Sequence, residues 1–301
     1  MTNSKLVVAA IAALGLTASG AARAYAQDDD TTGTGDGSGD ATTTEGNGET
    51  TPAPDSNTMT PEAGAEGIAG YPQAVIDRPG VLPKGVLEVT ANLPIAYIKI
   101  LDTSSTGVGL GLAARYGLAP KIDGQIGYAF SLKDFEIKGD LGAGVQYELA
   151  QKEKLRVAAR VTTGLNLNGV DPSDGSSKVD FDGIGLGVNL QYKLTPKVAI
   201  YTPGDQITLG FDDGVKPVAI NLPFGVGLQA SDKLWAFVDS SIGTIGLSPS
   251  GNTLISDITP FDIGALFSPS NKLDVGATLG FLDLQHAGDA LTVSLRAALR
   301  M

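Results

Sequence analysis

Apolar side chains occupy every second position in a series of stretches of about ten residues between Lys84 and Met301. The stretch 135–149 shows the pattern best, since one parity is apolar and the other is mostly charged residues and glycine. The apolar set is Phe135, Ile137, Leu141, Ala143, Val145, Tyr147 and Leu149. Because alternate side chains of a β-strand point to opposite faces, this pattern predicts strands with one apolar and one polar face. About 9–11 such residues suffice for a tilted strand to cross a bilayer.

The pattern repeats twelve times and predicts an all-β chain with a single antiparallel transmembrane barrel over residues 71–301. The predicted strands are residues 85–98, 107–118, 121–132, 135–149, 155–168, 179–194, 198–211, 217–230, 234–247, 260–267, 273–284 and 290–301. Pro203 and Gly204 interrupt the alternation of the seventh strand, and this interruption predicts a bulge there.

The connections between these strands alternate in kind. Five are tight, with Pro, Asp, Asn or Glu in the turn and a Lys where the next strand begins. They cover residues 119–121, 151–154, 195–197, 231–233 and 269–272. The other six are more varied, and two of them, 169–178 and 248–259, are long. Short turns on one side and longer loops on the other are typical of membrane barrels. In this chain the pattern also predicts that the first and last strands have their free ends on the short-turn side.

Alternation alone leaves open a soluble barrel or solenoid whose apolar face points inward. The polar face favours the membrane barrel, because it is rich in glycine where a water-facing strand would carry Lys and Glu. These glycines are Gly107, Gly109, Gly111, Gly117, Gly183, Gly185, Gly187, Gly225, Gly227, Gly276 and Gly280. Small residues suit the narrow interior of a barrel. Aromatic residues toward the strand ends suit the girdles of a membrane barrel; they are Tyr97, Tyr116, Phe130, Tyr147, Tyr192, Phe211, Phe267 and Phe281.

With this pattern, residues 85–301 resemble the bacterial outer-membrane β-barrel proteins, in the porin-like class, without indicating a specific family. The resemblance implies an integral outer-membrane location in a Gram-negative cell, contact with outer-membrane lipid and lipopolysaccharide, and insertion by the barrel-assembly machinery. That machinery reads alternation in the final strand, which Leu295, Leu299 and Met301 fit. The chain departs from the usual signal in two places: Met301 replaces a terminal aromatic residue, and Arg296 stands where Gly is common.

Two segments precede the predicted barrel. Residues 1–26 have the pattern of a signal peptide, with Lys5, an apolar run over 6–16, and Ala24 and Ala26 around a cleavage site. Residues 27–70 contain ten of the 33 acidic residues and no basic ones. This segment is too poor in apolar residues to offset the entropy of ordering, so we expect a disordered acidic tail. Five short turns and six loops give an even number of strands with both ends on the short-turn side, which predicts that the tail and both termini lie in the periplasm.

Composition and motifs argue against several functions. The net charge of −12 disfavours nucleic acid, which requires a basic surface. The chain has no cysteine, and its single histidine, His286, lies in a predicted loop without a nearby nucleophile–base pattern. The glycines at 107, 109 and 111 alternate along a strand, and no helix follows them as a phosphate loop would require. We therefore predict no catalytic residues, no metal, no cofactor and no enzymatic activity.

The parity of the strands places charged residues on the inner face. The predicted lumen-lining residues are Glu88, Arg115, Glu136, Asp140, Glu148, Arg156, Arg160, Asp182, Asp239, Asp262, Asp274, Arg296 and Arg300, together with Asp123 and Lys138. Two roles explain these charged residues. Opposite charges could pair across neighbouring strands and fill the lumen, or the charges could form a constriction that selects solutes. Counting outward from the turn near Lys152 predicts that Glu148 lies opposite Arg156, as a cross-strand ion pair.

These features predict a passive, porin-like channel for small polar solutes. The alternative is a barrel with a closed lumen that does not transport and serves a structural or surface-binding role. Twelve strands lie between the packed eight-stranded barrels and the open sixteen-stranded ones, so the sequence leaves the width of the lumen undetermined.

Overall fold

The structure is a computed structural model that describes residues 67–100, 103–132, 139–170, 177–211, 218–247, 253–256 and 259–301. The strands are β1 Leu87–Ile100, β2 Thr103–Ala119, β3 Ile122–Ser131, β4 Gly139–Gln151, β5 Leu155–Val170, β6 Ser177–Lys193, β7 Val198–Tyr201, β8 Ile207–Gly210, β9 Val218–Ser231, β10 Leu234–Leu247, β11 Thr253–Ser256, β12 Phe261–Ser270, β13 Leu273–Phe281 and β14 Ala290–Arg300. Short 3-10 turns cover Gly67–Gly70, Val75–Asp77 and Leu284–His286. Within these ranges, no helical segment has the length and apolarity needed to cross a membrane.

The strands form a closed antiparallel barrel with twelve strand positions around its wall, which confirms the predicted fold class. Consecutive strands pair around the wall, and β1 pairs with β14 to join the two ends of the barrel. β7 and β8 are two parts of one interrupted strand, which occupies a single position in the wall between β6 and β9. The short β11 pairs only with the far end of β10. A closed barrel leaves no unpaired edge, as a strand protein in lipid requires.

Exposure shows which face of the wall points outward. On β4, Val145 and Leu149 are 49% and 56% exposed, whereas Gln146 and Asp140 are each 4% exposed. The same inversion holds around the barrel, where apolar and aromatic side chains such as Leu228 form the exterior. A soluble protein has the opposite arrangement. The exterior of this barrel is therefore suited to lipid, and its polar side chains fill the interior.

The tight connections all lie at one end of the barrel, which we call the turn end; the opposite end is the loop end. The five predicted turns join β2 to β3, β4 to β5, β6 to β7, β9 to β10 and β12 to β13. β1 begins and β14 finishes at the turn end, where Leu87 and Met301 exchange backbone hydrogen bonds of 2.8 Å. The barrel thus starts and finishes at the same end, as the sequence predicts.

The predicted interruption of the seventh strand is confirmed. β7 ends at Tyr201 and β8 begins at Ile207, and Gly204 between them has a φ of +77°. The five residues between β7 and β8, 202–206, lie beside four residues on each neighbouring strand. The extra length turns Asp205 inward, where it is buried.

The predicted direct pairing of Glu148 with Arg156 is wrong by two residues. The ladder places Glu148 opposite Ala158 and Gln151 opposite Arg156, with a register shift between Glu148 and Ala150. The position of the turn causes this offset. Lys152 donates its backbone N–H to the Leu155 carbonyl, so the turn is centred between Glu153 and Lys154 and not near Lys152, and the bulge after Glu148 removes only part of the resulting shift.

The segment before the wall is the main departure from the predicted domain boundaries. Residues 67–70, assigned from sequence to the disordered tail, form a 3-10 turn, and residues 71–86, assigned to the barrel, are not part of its wall. Residues 67–86 contact strands on all sides of the barrel at the turn end: β2, β3, β5, β7, β9, β10, β12, β13 and β14. Only a position inside the lumen satisfies these contacts. We call residues 67–86 the plug.

Candidate functional site

The plug is tied to one side of the lumen by a buried ionic network. Arg78 donates to both carboxylate oxygens of Asp274 at 2.7 and 2.8 Å and to the Ser268 hydroxyl at 2.9 Å. Asp274 also binds Arg300, which forms a 2.7 Å ion pair with Glu88. Since the network joins two guanidinium groups to two carboxylates, each buried charge has an opposite partner.

On the other side, wall side chains bind the backbone of the plug. Arg156 donates to the carbonyl oxygens of Ile76 and Asp77 at 2.7 and 2.9 Å. Arg115 donates to the Gly80 carbonyl at 2.7 Å and forms an ion pair with Asp123. These donors provide hydrogen bonds to plug carbonyl groups that have no partner in a strand. Irregular backbone can therefore be accommodated inside the barrel.

Acceptors of the wall bind two backbone N–H groups of the plug. Ile76 donates to the side chain of Gln229 at 3.1 Å, and Leu82 donates to Asp123 at 2.7 Å. Both donors and acceptors of the wall thus bind the backbone of the plug and fix its register in the lumen.

One apolar cluster joins the plug to the wall, and a second lies within the plug. In the first, Ile76 packs with Ala199 and Trp235 of the wall. In the second, Tyr71 packs with Leu82 and Val86, and the guanidinium of Arg300 on the wall lies 4.9 Å from the centre of the Tyr71 ring. Burial raises the pKa of the Tyr71 hydroxyl, so this ring is neutral at ordinary pH. Burial of apolar surface against a polar lumen wall favours the plugged arrangement.

Glycine on the inner face makes room for these contacts. A side chain at Gly117 would collide with the Pro83 carbonyl of the plug, and one at Gly227 would collide with the ring of Trp235. The sequence predicts glycine inside a narrow barrel; the structure shows that particular glycines face a plug residue or a large inner side chain.

Beyond the plug the lumen contains a cavity of about 660 Å³. Of the predicted lumen residues, eight line this cavity: Glu88, Arg115, Asp140, Arg156, Arg160, Asp239, Asp262 and Arg296. Asp274 and Arg300 lie in the ionic network at the turn end. Glu148 lies on β4 beside the register shift near the turn end. Glu136 and Lys138 fall outside the described residues, as does the side chain of Asp182, whose backbone lies on β6.

Two polar groupings mark the cavity wall. Asp205 accepts a 2.6 Å hydrogen bond from Thr162 and lies 3.3 Å from the guanidinium of Arg160. Asp239 accepts a hydrogen bond from the Tyr201 hydroxyl and is directly opposite Asp262 in the ladder between β10 and β12. The cavity thus presents both charge signs.

Sequence reasoning missed several inner residues: Arg78, Tyr201, Asp205, Gln229 and Trp235. The parity that placed Asp239 inside also places Trp235 inside, so that signal was available. Asp205 follows the predicted interruption, but alternation gives no direction to a side chain at a bulge. Arg78 precedes the first strand and has no parity. Across the described residues, no group of three or more His, Cys, Asp or Glu side chains could hold a metal ion.

No protein-family model matches the sequence, and no curated protein matches it. Among solved structures, an outer membrane channel from Pseudomonas putida F1 is 14% identical, covers 74% of this chain and 99% of its own, and has a TM-score of 0.47. The NanC porin is 10% identical over 71% of this chain and 98% of its own, with a TM-score of 0.48. Outer membrane protein Omp33 of Acinetobacter baumannii is 12% identical over 72% and 99%, with a TM-score of 0.41.

At these identities the similarities concern overall shape, and no solute or partner follows from them. The chain's own geometry defines its class. It is a closed twelve-stranded barrel of the outer-membrane type, with an apolar exterior and a charged, partly plugged interior.

Proposed function

We propose that this chain is an integral outer-membrane barrel that acts as a passive, porin-like channel for small polar solutes. The observation that carries the proposal is the cavity of about 660 Å³ inside a closed wall, lined by polar and charged side chains. A cavity of this chemistry accommodates hydrated solutes, whereas the exterior faces lipid.

The same proposal sets the orientation of the barrel. The signal peptide pattern and the acidic tail precede β1, so the turn end faces the periplasm and the loop end faces outward, toward lipopolysaccharide. β14 is the strand that the barrel-assembly machinery would read. Its residues Leu295, Leu299 and Met301 point outward and are about half exposed, which supports a lipid-facing final strand.

Single-channel recording of the refolded full-length protein in planar bilayers tests the channel. The matched variants are Asp239→Asn with Asp262→Asn inside the cavity, and Asp232→Asn in the exposed turn after β9. If ions pass through the lumen, the cavity variant changes the reversal potential in a salt gradient and the turn variant leaves it unchanged. Equal behaviour of the two variants would place the current outside the lumen and contradict the proposal.

A second candidate is a barrel without transport, with a structural or surface-binding role. The plug favours it, because residues 67–86 fill the turn end of the lumen. The two candidates predict different conductance for variants in which contacts between plug and wall are removed: the channel conducts, and the closed barrel does not. Correctly folded barrels with a loosened plug and no channel events would support the closed barrel. Neither candidate is an enzyme, since neither uses a nucleophile–base pair.

A further inference from the structure

We infer that the plug is a gate: residues 67–82 close the turn end of the lumen and leave it as a unit, so that the channel opens and shuts. The inference rests on the proposed channel function. It follows from three properties of the plug: the main buried wall charges keep partners without it, a turn joins it to β1, and its backbone over residues 67–82 pairs with no described strand of the wall.

The wall keeps partners for its buried charges when the plug is removed. Asp274 retains Arg300 and the Ser268 hydroxyl, at 2.6 Å. Asp123 retains Arg115, and Arg156 retains Gln191 at 2.8 Å. Breaking a buried ion pair is costly mainly because it leaves one charge without compensation. Departure of the plug therefore leaves Asp274 and Asp123 each paired with a guanidinium group, and leaves Arg156 hydrogen-bonded to a neutral amide, so an open state is accessible.

A turn joins the plug to the wall. The Val86 N–H donates to the Pro83 carbonyl at 3.1 Å, and Gly85 has a φ of +84°, which residues with a side chain rarely adopt. Nothing lies within 4 Å of the position of a side chain at Gly85. Gly85 and Val86 exchange backbone hydrogen bonds with Gly117 on β2, at 2.8 and 3.0 Å, and β1 begins at Leu87. Rotation before Gly85 therefore moves residues 67–82 without disturbing any strand pairing.

Many contacts attach the plug, and two of them, which we call the latches, are suited to a test by substitution. The polar latch is Arg78, with its bonds to Asp274 and Ser268. The apolar latch is Ile76, packed on Trp235 and Ala199. Residues 67–86 contain only two short 3-10 turns and no strand, so the plug has little regular structure of its own to hold it in place.

A disulfide tests the gate directly, because the chain has no native cysteine. A Cβ atom added at Gly80 would lie 3.8 Å from the Cβ of Ala158 on the wall, which matches the spacing across a disulfide. In full-length protein carrying Gly80→Cys and Ala158→Cys, oxidation is expected to lower the frequency of channel openings by about tenfold or more. Reduction is expected to restore it. Identical recordings before and after reduction would overturn the gate while leaving the channel in place.

Loosening the latches gives the opposite expectation. Arg78→Gln and Ile76→Ser are each expected to raise the open probability by about tenfold, since each removes a main contact of the plug. Lys84→Gln is the matched control, because Lys84 is an exposed charge of the same segment. Equal open probability in the latch variants and the control would count against a gate.

Thiol labelling detects plug movement independently of current. Ala158 is 1% exposed under the plug, so a single Ala158→Cys reacts with a membrane-impermeant thiol reagent only when the plug departs. Arg78→Gln is expected to raise this rate about tenfold. Ala290→Cys, buried near the loop end, is the control for general loosening and is expected to react at an unchanged rate. Labelling that the latch variants do not accelerate overturns the gate.

The two readouts separate the two proposals. Faster labelling without any current would show that residues 67–86 move in a barrel that does not conduct, which overturns the proposed channel and, with it, gating. Current without accelerated labelling keeps the channel and overturns the gate alone.

Discussion

Two groups of acidic residues in the lumen differ in their partners. We call Glu88, Asp123 and Asp274, near the plug, the turn half, and Asp239 and Asp262, on the cavity wall, the cavity half. In the turn half, Glu88, Asp123 and Asp274 each lie against a guanidinium group, and two of those ion pairs also touch the plug. In the cavity half, Asp239 lies opposite Asp262, and within the described residues neither is in an ion pair with a basic side chain. Residues of the same types and the same parity therefore have two roles. Position relative to the plug decides which of them bind the plug and which line the cavity.

The largest expected difference between the halves is in stability. Asp274→Ala removes bonds to two guanidinium groups and a hydroxyl, and is expected to lower the free energy of unfolding by about 3–5 kcal/mol. Asp262→Ala removes a carboxylate that lines the cavity, and is expected to cost less than about 1 kcal/mol. Urea unfolding in lipid vesicles measures both values. Similar costs at the two positions would remove the distinction between the halves.

A matched pair of arginines sharpens the same comparison. Arg156→Gln removes hydrogen bonds from a charged group to two plug carbonyls and is expected to cost about 1.5–3 kcal/mol. Arg296 lines the cavity, where its Nε atom has no hydrogen-bond partner, so Arg296→Gln is expected to change the free energy of unfolding by less than about 1 kcal/mol. The same unfolding experiment compares them, and a larger cost at Arg296 would reverse the assignment of roles.

The wall of this barrel was predictable from sequence because period-two alternation is a local signal. The residues that were predicted to lie on the lumen face include Glu88 and Arg300, which the structure shows directly opposite each other on β1 and β14. Exact register was less predictable, since it depends on where the turn is centred and on one extra residue after Glu148.

The plug was not predictable in the same way. Residues 71–86 have no alternation, and their place in the lumen depends on contacts with strands up to about two hundred residues away, such as the bond between Arg78 and Asp274. The sequence predicts only that Arg115, Arg156 and Arg300 line the lumen. In the structure they contact the plug, which no local pattern indicates.

Ion preference tests the cavity half. The sequence predicts a modest cation preference from acidic residues of the outer loops, most of which fall outside the described residues. Asp239 and Asp262 add a negative contribution inside the cavity. Asp239→Asn with Asp262→Asn is expected to lower the cation-to-anion permeability ratio roughly twofold at low salt, and the difference should fade as the Debye length shortens. Asp232→Asn, in the exposed turn after β9, should leave the ratio unchanged in openings of the same size. An equal shift from Asp232→Asn would show that residues outside the cavity set the ion preference.

The smallest expected effect concerns the acidic tail. Residues 27–66, outside the described residues, carry ten acidic side chains. If they form the disordered tail that the sequence predicts, their root-mean-square reach is roughly 35 Å. A tethered polyanion would block the lumen only if free arginines faced it. Arg156 and Arg115 are instead bonded to carbonyl groups of the plug, and Arg300 is bonded to Glu88 and Asp274. Deletion of 27–66 is therefore expected to leave single-channel traces unchanged below about 0.1 M salt, where the Debye length exceeds about 10 Å. Longer openings after the deletion would show that the tail, and not only the plug, closes the turn end.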